Sequence, residues 1–367
     1  MAIDRRTFLL AGGAVLLAPA PGADAACHPD VFAAACREPS GAYSAIAYDE
    51  TCGVTQRVIL PGRGHDLVQR PGTRECVVFA RRPGTFAVAF VAGGSRQPVH
   101  FSSRPDRHFF GHGVFSPNGR LLYTSENDFD EGRGMIGVRD ATAGYRQIGE
   151  FPSGGIEPHD LCLLGDGRTL VIANGGIETH PASARENLNI ATMEPSLAYV
   201  DIATGELLEE HRLPQSLHKL SIRHLALAQR DEVYFGCQYE GPITEHPPLI
   251  GFHRRGEPLH LIDAPDALYR PMKNYIGSVS ADRNGEMVAA TSPRGGLALV
   301  VDVATRRIIT ERSLSDVCGV APRHAGASFL LTSGAGDVGT WSPNATDGVL
   351  HRENLSWDNH AILLDAV

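Results

Sequence analysis

The sequence contains no C-x-x-C pair, which excludes a zinc knuckle, a thioredoxin-like redox site and covalent c-type haem attachment. It has no G-x-S-x-G elbow, and no cysteine carries a base at a defensible spacing, so nucleophilic hydrolysis is without a sequence signal. Glu126, Glu178 and Glu240 fall in different repeats, and no carboxylate pair for glycoside cleavage can be assigned from them. A dense run of Lys or Arg is also missing. With a formal net charge of −9 the chain has no electrostatic footprint for nucleic acid or anionic lipid, and neither is expected as a partner. The apolar stretch near the N-terminus is too short for a stable membrane span, and no span is expected in the mature chain.

What is present is ordinary globular composition, 43% hydrophobic against 20% charged, enough for a large core. The 40 Gly and 24 Pro gather in short clusters between apolar runs, the pattern of many tight turns joining short strands. A length of 367 residues allows two domains, but repeat architectures often run this long as one unit. Residues 1–26 read as a targeting segment. Arg5-Arg6 precede an apolar stretch, and Ala23-Asp24-Ala25 supplies small residues for cleavage, as in a bacterial twin-arginine export signal. The expectation is a periplasmic mature chain in which residues 27–367 form a single domain. Its seven cysteines, an odd number, leave at least one unpaired, and oxidising surroundings permit a bridge such as Cys27 to Cys36.

Internal periodicity is the strongest signal. From His112, HGVFSPNG, RLLYTSEND, MIGVRDATAG and YRQIGEF read as four short strands, with turns at Asn118-Gly119 and Asp140 to Gly144. The same grammar reopens at His65, His159, His224, Ile276, Cys318 and His360, spaced by roughly 40 to 65 residues, with an insertion near 177–196 accounting for the longest gap. Almost no chain follows His360. Its missing three strands are supplied by VFAAACREPSGAYSAIAYDETCG and TQRVIL at the N-terminus. The expected fold is all-β, a seven-bladed β-propeller whose ring is closed by N-terminal strands completing the blade of the C-terminal strand.

His112-Gly113-Val114-Phe115-Ser116-Pro117-Asn118-Gly119 and Asp201-Ile202-Ala203-Thr204-Gly205 resemble the YVTN type of bacterial propeller repeat. Over the whole chain the similarity is closer to the bacterial exported family labelled domain of unknown function 1513. It rests on Gly176-Ile177-Glu178-Thr179-His180-Pro181, Met193-Glu194-Pro195-Ser196-Leu197 and Leu220-Ser221-Ile222-Arg223-His224-Leu225-Ala226. That resemblance implies a propeller near iron-uptake proteins of the imelysin type, and no established activity.

In a propeller the innermost strand of each blade lines the central channel, so the openers converge. His65, His112, His159, His224, Cys318 and His360 are thereby candidate metal ligands, and imidazole with one thiolate suits copper, iron or zinc better than calcium or magnesium. The competing structural reading has each imidazole bonding backbone groups of the neighbouring blade. Polar loops just after second strands are expected to overhang the same opening. They offer Glu126, Asn127, Asn174, His180, Arg185 and Gln238, with Arg223 on an opening segment, as contacts for a small polar or anionic ligand, Arg185 and Arg223 being its charge partners. Glu157 and Asp160 flank His159 and are placed to orient it. Three functions follow: a periplasmic protein binding a metal ion or small ligand and linked to iron uptake, a lactonase-like or metal-dependent redox enzyme, and a cofactor-free interaction scaffold. Fold alone does not choose among them.

Overall fold

The computed structural model describes residues 29–183, 186–343, 348 and 350–365. The export segment, Cys27 and Arg185 lie outside the described residues. Seven four-stranded antiparallel sheets make up the molecule. The innermost strands, in chain order, are Gly64–Gln69, Arg107–Phe115, Pro158–Leu163, Leu220–Leu227, Ser278–Ala281, Val317–Pro322 and Ser356–Leu363. We number the blades one to seven in that order. Each inner strand touches the next, and Ser356–Leu363 packs against Gly64–Gln69 to complete the circle. In blade seven the inner strand pairs with Val31–Arg37, followed outward by Tyr43–Asp49 and Val54–Leu60, with Phe32 opposite Leu363 and Arg37 opposite Ser356.

Burial explains the sequence pattern. Second strands such as Glu75–Ala80 (ECVVFA), Thr169–Asn174 (TLVIAN) and Met287–Ser292 (MVAATS) are buried along their whole length. Both of their faces meet neighbouring blades, so they read as continuous runs rather than alternating ones. The outermost strands alternate, as Arg307–Ser313 does, because one face meets solvent. The turns are built as the sequence implies: the Asp140 carboxylate accepts from Thr142 N at 2.9 Å and the Asp201 carboxylate from Ala203 N at 2.8 Å, each turn ending in a left-handed glycine. Among the described residues no helix is long and apolar enough to cross a membrane, and none of the six described cysteines is bridged.

One feature departs from the sequence expectation. The openers do not begin their strands in every blade: His112 sits in the middle of Arg107–Phe115 and His224 in the middle of Leu220–Leu227. In six blades the inner strand carries a register shift at or beside the opener. Phe110-Gly111-His112 oppose a single residue, as do Asp358-Asn359-His360 and His65-Asp66, and blades three, four and six shift at His159, Arg223 and Cys318-Gly319. A β-bulge re-aims side chains that regular pleating would send alternately to the two faces. Gly111 is required for one of them: its φ is +108°, and a Cβ there would lie 2.4 Å from the His65 ring.

Candidate metal centre

The bulges gather five imidazoles on the ring axis. Ring centroids lie 4.9 Å apart for His65 and His112, 5.0 Å for His112 and His159, 4.9 Å for His159 and His224, 4.9 Å for His224 and His360, and 4.7 Å for His360 and His65. His112 is also 4.8 Å from His360 and 5.8 Å from His224. All five are buried. One ligand nitrogen each from His112, His224 and His360 lie within 4.8 Å of one another, and the same holds for His65, His112 and His159.

Hydrogen bonding separates these two triads. His112 Nδ1 is held by two carboxylates, Asp66 at 3.1 Å and Asp160 at 3.3 Å, while its Nε2 has no partner among the described residues. His224 has no partner on either nitrogen, and His360 bonds Ser278 through Nδ1 at 3.2 Å with Nε2 unpartnered. By contrast the His159 Nδ1 lone pair faces Arg223 Nη1 at 3.4 Å, and His65 Nδ1 faces Asp358 at 3.4 Å. Among the described residues, no ring nitrogen of the five bonds a backbone group of a neighbouring blade; their partners are side chains. Buried polar atoms in proteins are nearly always satisfied, so three neighbouring imidazoles with orphaned nitrogens mark a place for something else to bind.

The electrostatics divide the cluster. Burial works against charge on His112, but Asp160 and Asp66 outweigh it and raise its pKa to about 10. Burial pushes His65, His159 and His224 well below the usual imidazole range and holds His360 down at about 4. Four neutral rings with free or nearly free lone pairs therefore surround one imidazolium.

Above the cluster a cavity of about 220 Å³ opens, lined by His65, His159 and His224 with Arg81, Arg82, Arg223, Arg294, Gln238, Glu240, Asn187, Asn359, Tyr275 and Phe110. A larger one, of about 260 Å³, lies by Tyr48, Cys52 and Trp357 and holds no imidazole. Glu157 is fully buried at φ +59° and clamps two arginines, Arg82 at 2.9 Å and Arg223 at 3.0 Å. Asp358 holds Arg81 at 3.0 Å and Arg63 at 2.5 Å. Removing one member of such a buried set leaves the others charged and unpaired, at a cost of about 3 to 5 kcal/mol. Glu157→Ala is accordingly expected to lower the free energy of unfolding in urea by that amount, and a loss under about 1 kcal/mol would show that the arginines find other partners.

Several sequence expectations are corrected. The Cys318 thiol does not join the imidazoles. Its Sγ lies 3.5 Å from the carbonyl oxygens of Thr332 and Trp357, in an apolar cluster with Phe32, Leu330 and Tyr48, and burial pushes its pKa up to about 12. The backbone of blade six turns the sulfur between blades, away from the axis. Glu126 does not overhang the opening either: it is fully buried and pairs with Arg139 at 2.9 Å, in space that a side chain at Gly137 would fill. Asn127 ties His108 Nε2 and the Thr179 carbonyl together, both at 3.0 Å. Asn174 donates to the Ser153 carbonyl and Ser196 Oγ, both at 3.2 Å. His180 is partly exposed and lies 3.5 Å from Asp130. None of these four lines the cavity. Arg223 and Gln238 do, and Gln238 donates to the Ile276 carbonyl at 3.2 Å. Asp160 orients His112 of the preceding blade, not its neighbour His159, and Glu157 serves the arginines.

The sequence reading missed Arg81, Arg82 and Arg294. All three follow second strands, Glu75–Ala80 and Met287–Ser292, the position rule that had singled out other loops. Tyr275 and Asn359 carry no comparable signal, because they reach the cavity through irregular backbone and through the blade-seven bulge. No match is found among curated proteins. Residues 58–364 match the family model described as "Protein of unknown function (DUF1513)", and the chain belongs to that family.

Proposed function

We propose that the protein binds a transition-metal ion, copper, zinc or iron, in the channel through His112, His224 and His360. The observation that carries the reading is the set of orphaned buried nitrogens on three rings whose ligand atoms lie within 4.8 Å of one another. An ion with metal–nitrogen bonds of about 2.0 to 2.1 Å brings its nitrogens to about 3 to 3.5 Å of one another, so the three atoms need to close by at most about 1.5 Å. Imidazole donors suit borderline metals. The paired carboxylates on His112 Nδ1 supply the outer support that metal-bound imidazoles usually have, and the ion displaces the Nε2 proton of this imidazolium, leaving Nδ1–H on the carboxylates and the Nε2 lone pair on the metal. His65 and His159 complete the wall beside the triad. The same reading has residues 1–26 removed on twin-arginine export and the mature chain working in the periplasm beside iron-uptake proteins.

Untagged mature chain, stripped with a chelator and then offered each metal separately, tests this. One ion per chain should be retained after gel filtration, with a rise in melting temperature. Binding to the folded state alone adds about 2.7 kcal/mol at a free metal concentration one hundred times Kd. No retained ion and an unmoved transition for all three metals sinks the proposal.

A further inference from the structure

We infer that the cavity above the imidazoles is a receptor for a small polar carboxylate, a site that borders the metal centre at His224 and is able to fill without the metal. Four arginines line it, Arg81, Arg82, Arg223 and Arg294, against one acid on the wall, Glu240. Glu157 and Asp358 stand behind and neutralise only part of that charge. Arg294 makes no ion pair among the described residues. Its guanidinium carbon lies 4.2 Å from the centroid of the Tyr275 ring, a cation–π contact that holds the group on the cavity wall. A planar five-donor fork held this way matches a carboxylate in two parallel hydrogen bonds.

The rest of the wall narrows the ligand. Gln238 and Asn359, both buried, offer amides, and His224 at the floor is buried with both nitrogens unpartnered. Phe110 and the face of Tyr275 are the apolar surfaces among the lining residues, too few for a hydrophobic tail. A volume of about 220 Å³ equals about seven water volumes, the size of a small organic acid with a hydroxyl or carbonyl group for the amides. Amide N–H groups serve any oxyanion, but the amide oxygens, which accept from a ligand hydroxyl, and the aromatic faces favour a hydroxy acid over phosphate or sulfate.

Calorimetric titration of chelator-treated mature protein with malate, and separately with phosphate and sulfate, tests the inference. Because metal is absent throughout, the outcome is independent of the metal proposal. Malate is expected to bind saturably at one site and to raise the melting temperature, with phosphate and sulfate at least about tenfold weaker. Arg294→Gln, at an exposed position, should weaken malate at least about tenfold and leave the melting temperature of the unliganded protein unchanged. Arg82→Gln should weaken it as well. Absence of saturable malate binding, equal or tighter binding of phosphate or sulfate, or malate affinity indifferent to Arg294→Gln overturns the assignment.

Discussion

Replacing His224 with leucine is expected to weaken metal binding more than about 100-fold while the metal-free protein melts at the same temperature or higher. Losing an outer-shell partner typically costs 10- to 100-fold in affinity, and a direct ligand costs more. The stability side follows from the burial of His224 with neither ring nitrogen partnered among the described residues. An unsatisfied buried polar group costs about 1 to 3 kcal/mol, which an apolar side chain of similar size removes. His108 provides the contrast. Its Nδ1 donates to the Phe109 carbonyl at 2.9 Å and its Nε2 accepts from Asn127 at 3.0 Å. His108→Leu strands the Asn127 amide and should lower the melting temperature with metal affinity untouched. Titration of both variants with zinc or copper, followed by melting curves, checks the pair. A His224→Leu protein that keeps its metal, or that melts far below the parent, contradicts the assigned role.

Stability of the metal-free protein is expected to peak near neutral pH and to fall steeply toward pH 4. An unfolded histidine titrates near 6.5. Burial holds His360 and His108 down to about 4, and moves His65, His159 and His224 in the same direction. Between pH 6.5 and 4 the unfolded chain therefore takes up protons that the folded chain refuses, and stability is lost on the order of 3 kcal/mol for each of His360 and His108. His112 runs the other way. Raised to about 10 by Asp160 and Asp66 against the effect of burial, it contributes stability that is complete below pH 6.5 and disappears as pH climbs through about 10. Urea midpoints measured from pH 4 to 10 on chelator-treated protein test both limbs. A profile flat between pH 7 and 4.5 would mean that these imidazoles are hydrated and free to charge.

Much of the fold was visible in the chain. Seven openers, turns such as Asp201 to Gly205, and N-terminal strands that complete the sheet of His360 are local or periodic signals, and each is read directly from residue spacing. The convergence of five histidines follows from the same repeat, since every inner strand borders one axis. The direction of each side chain does not. It depends on bulges such as Phe110-Gly111-His112 opposite a single residue, which arise from how two strands pair and leave no mark in either strand alone.

Cys318 shows the consequence. It occupies the opener position of its repeat, and its bulge sets two residues against one as that of His65 does, yet its sulfur packs against the Thr332 and Trp357 carbonyls between blades six and seven. Asp160 adjoins His159 in sequence but holds His112, and Arg81 and Arg82 reach Asp358 and Glu157 across more than seventy residues. The amino-acid sequence by itself determined the blade count, the turn chemistry and the five histidines that approach the axis. Only the tertiary structure decided which of them face one another, because a side chain's aim is set by the strand beside it, and that strand lies far away in the chain.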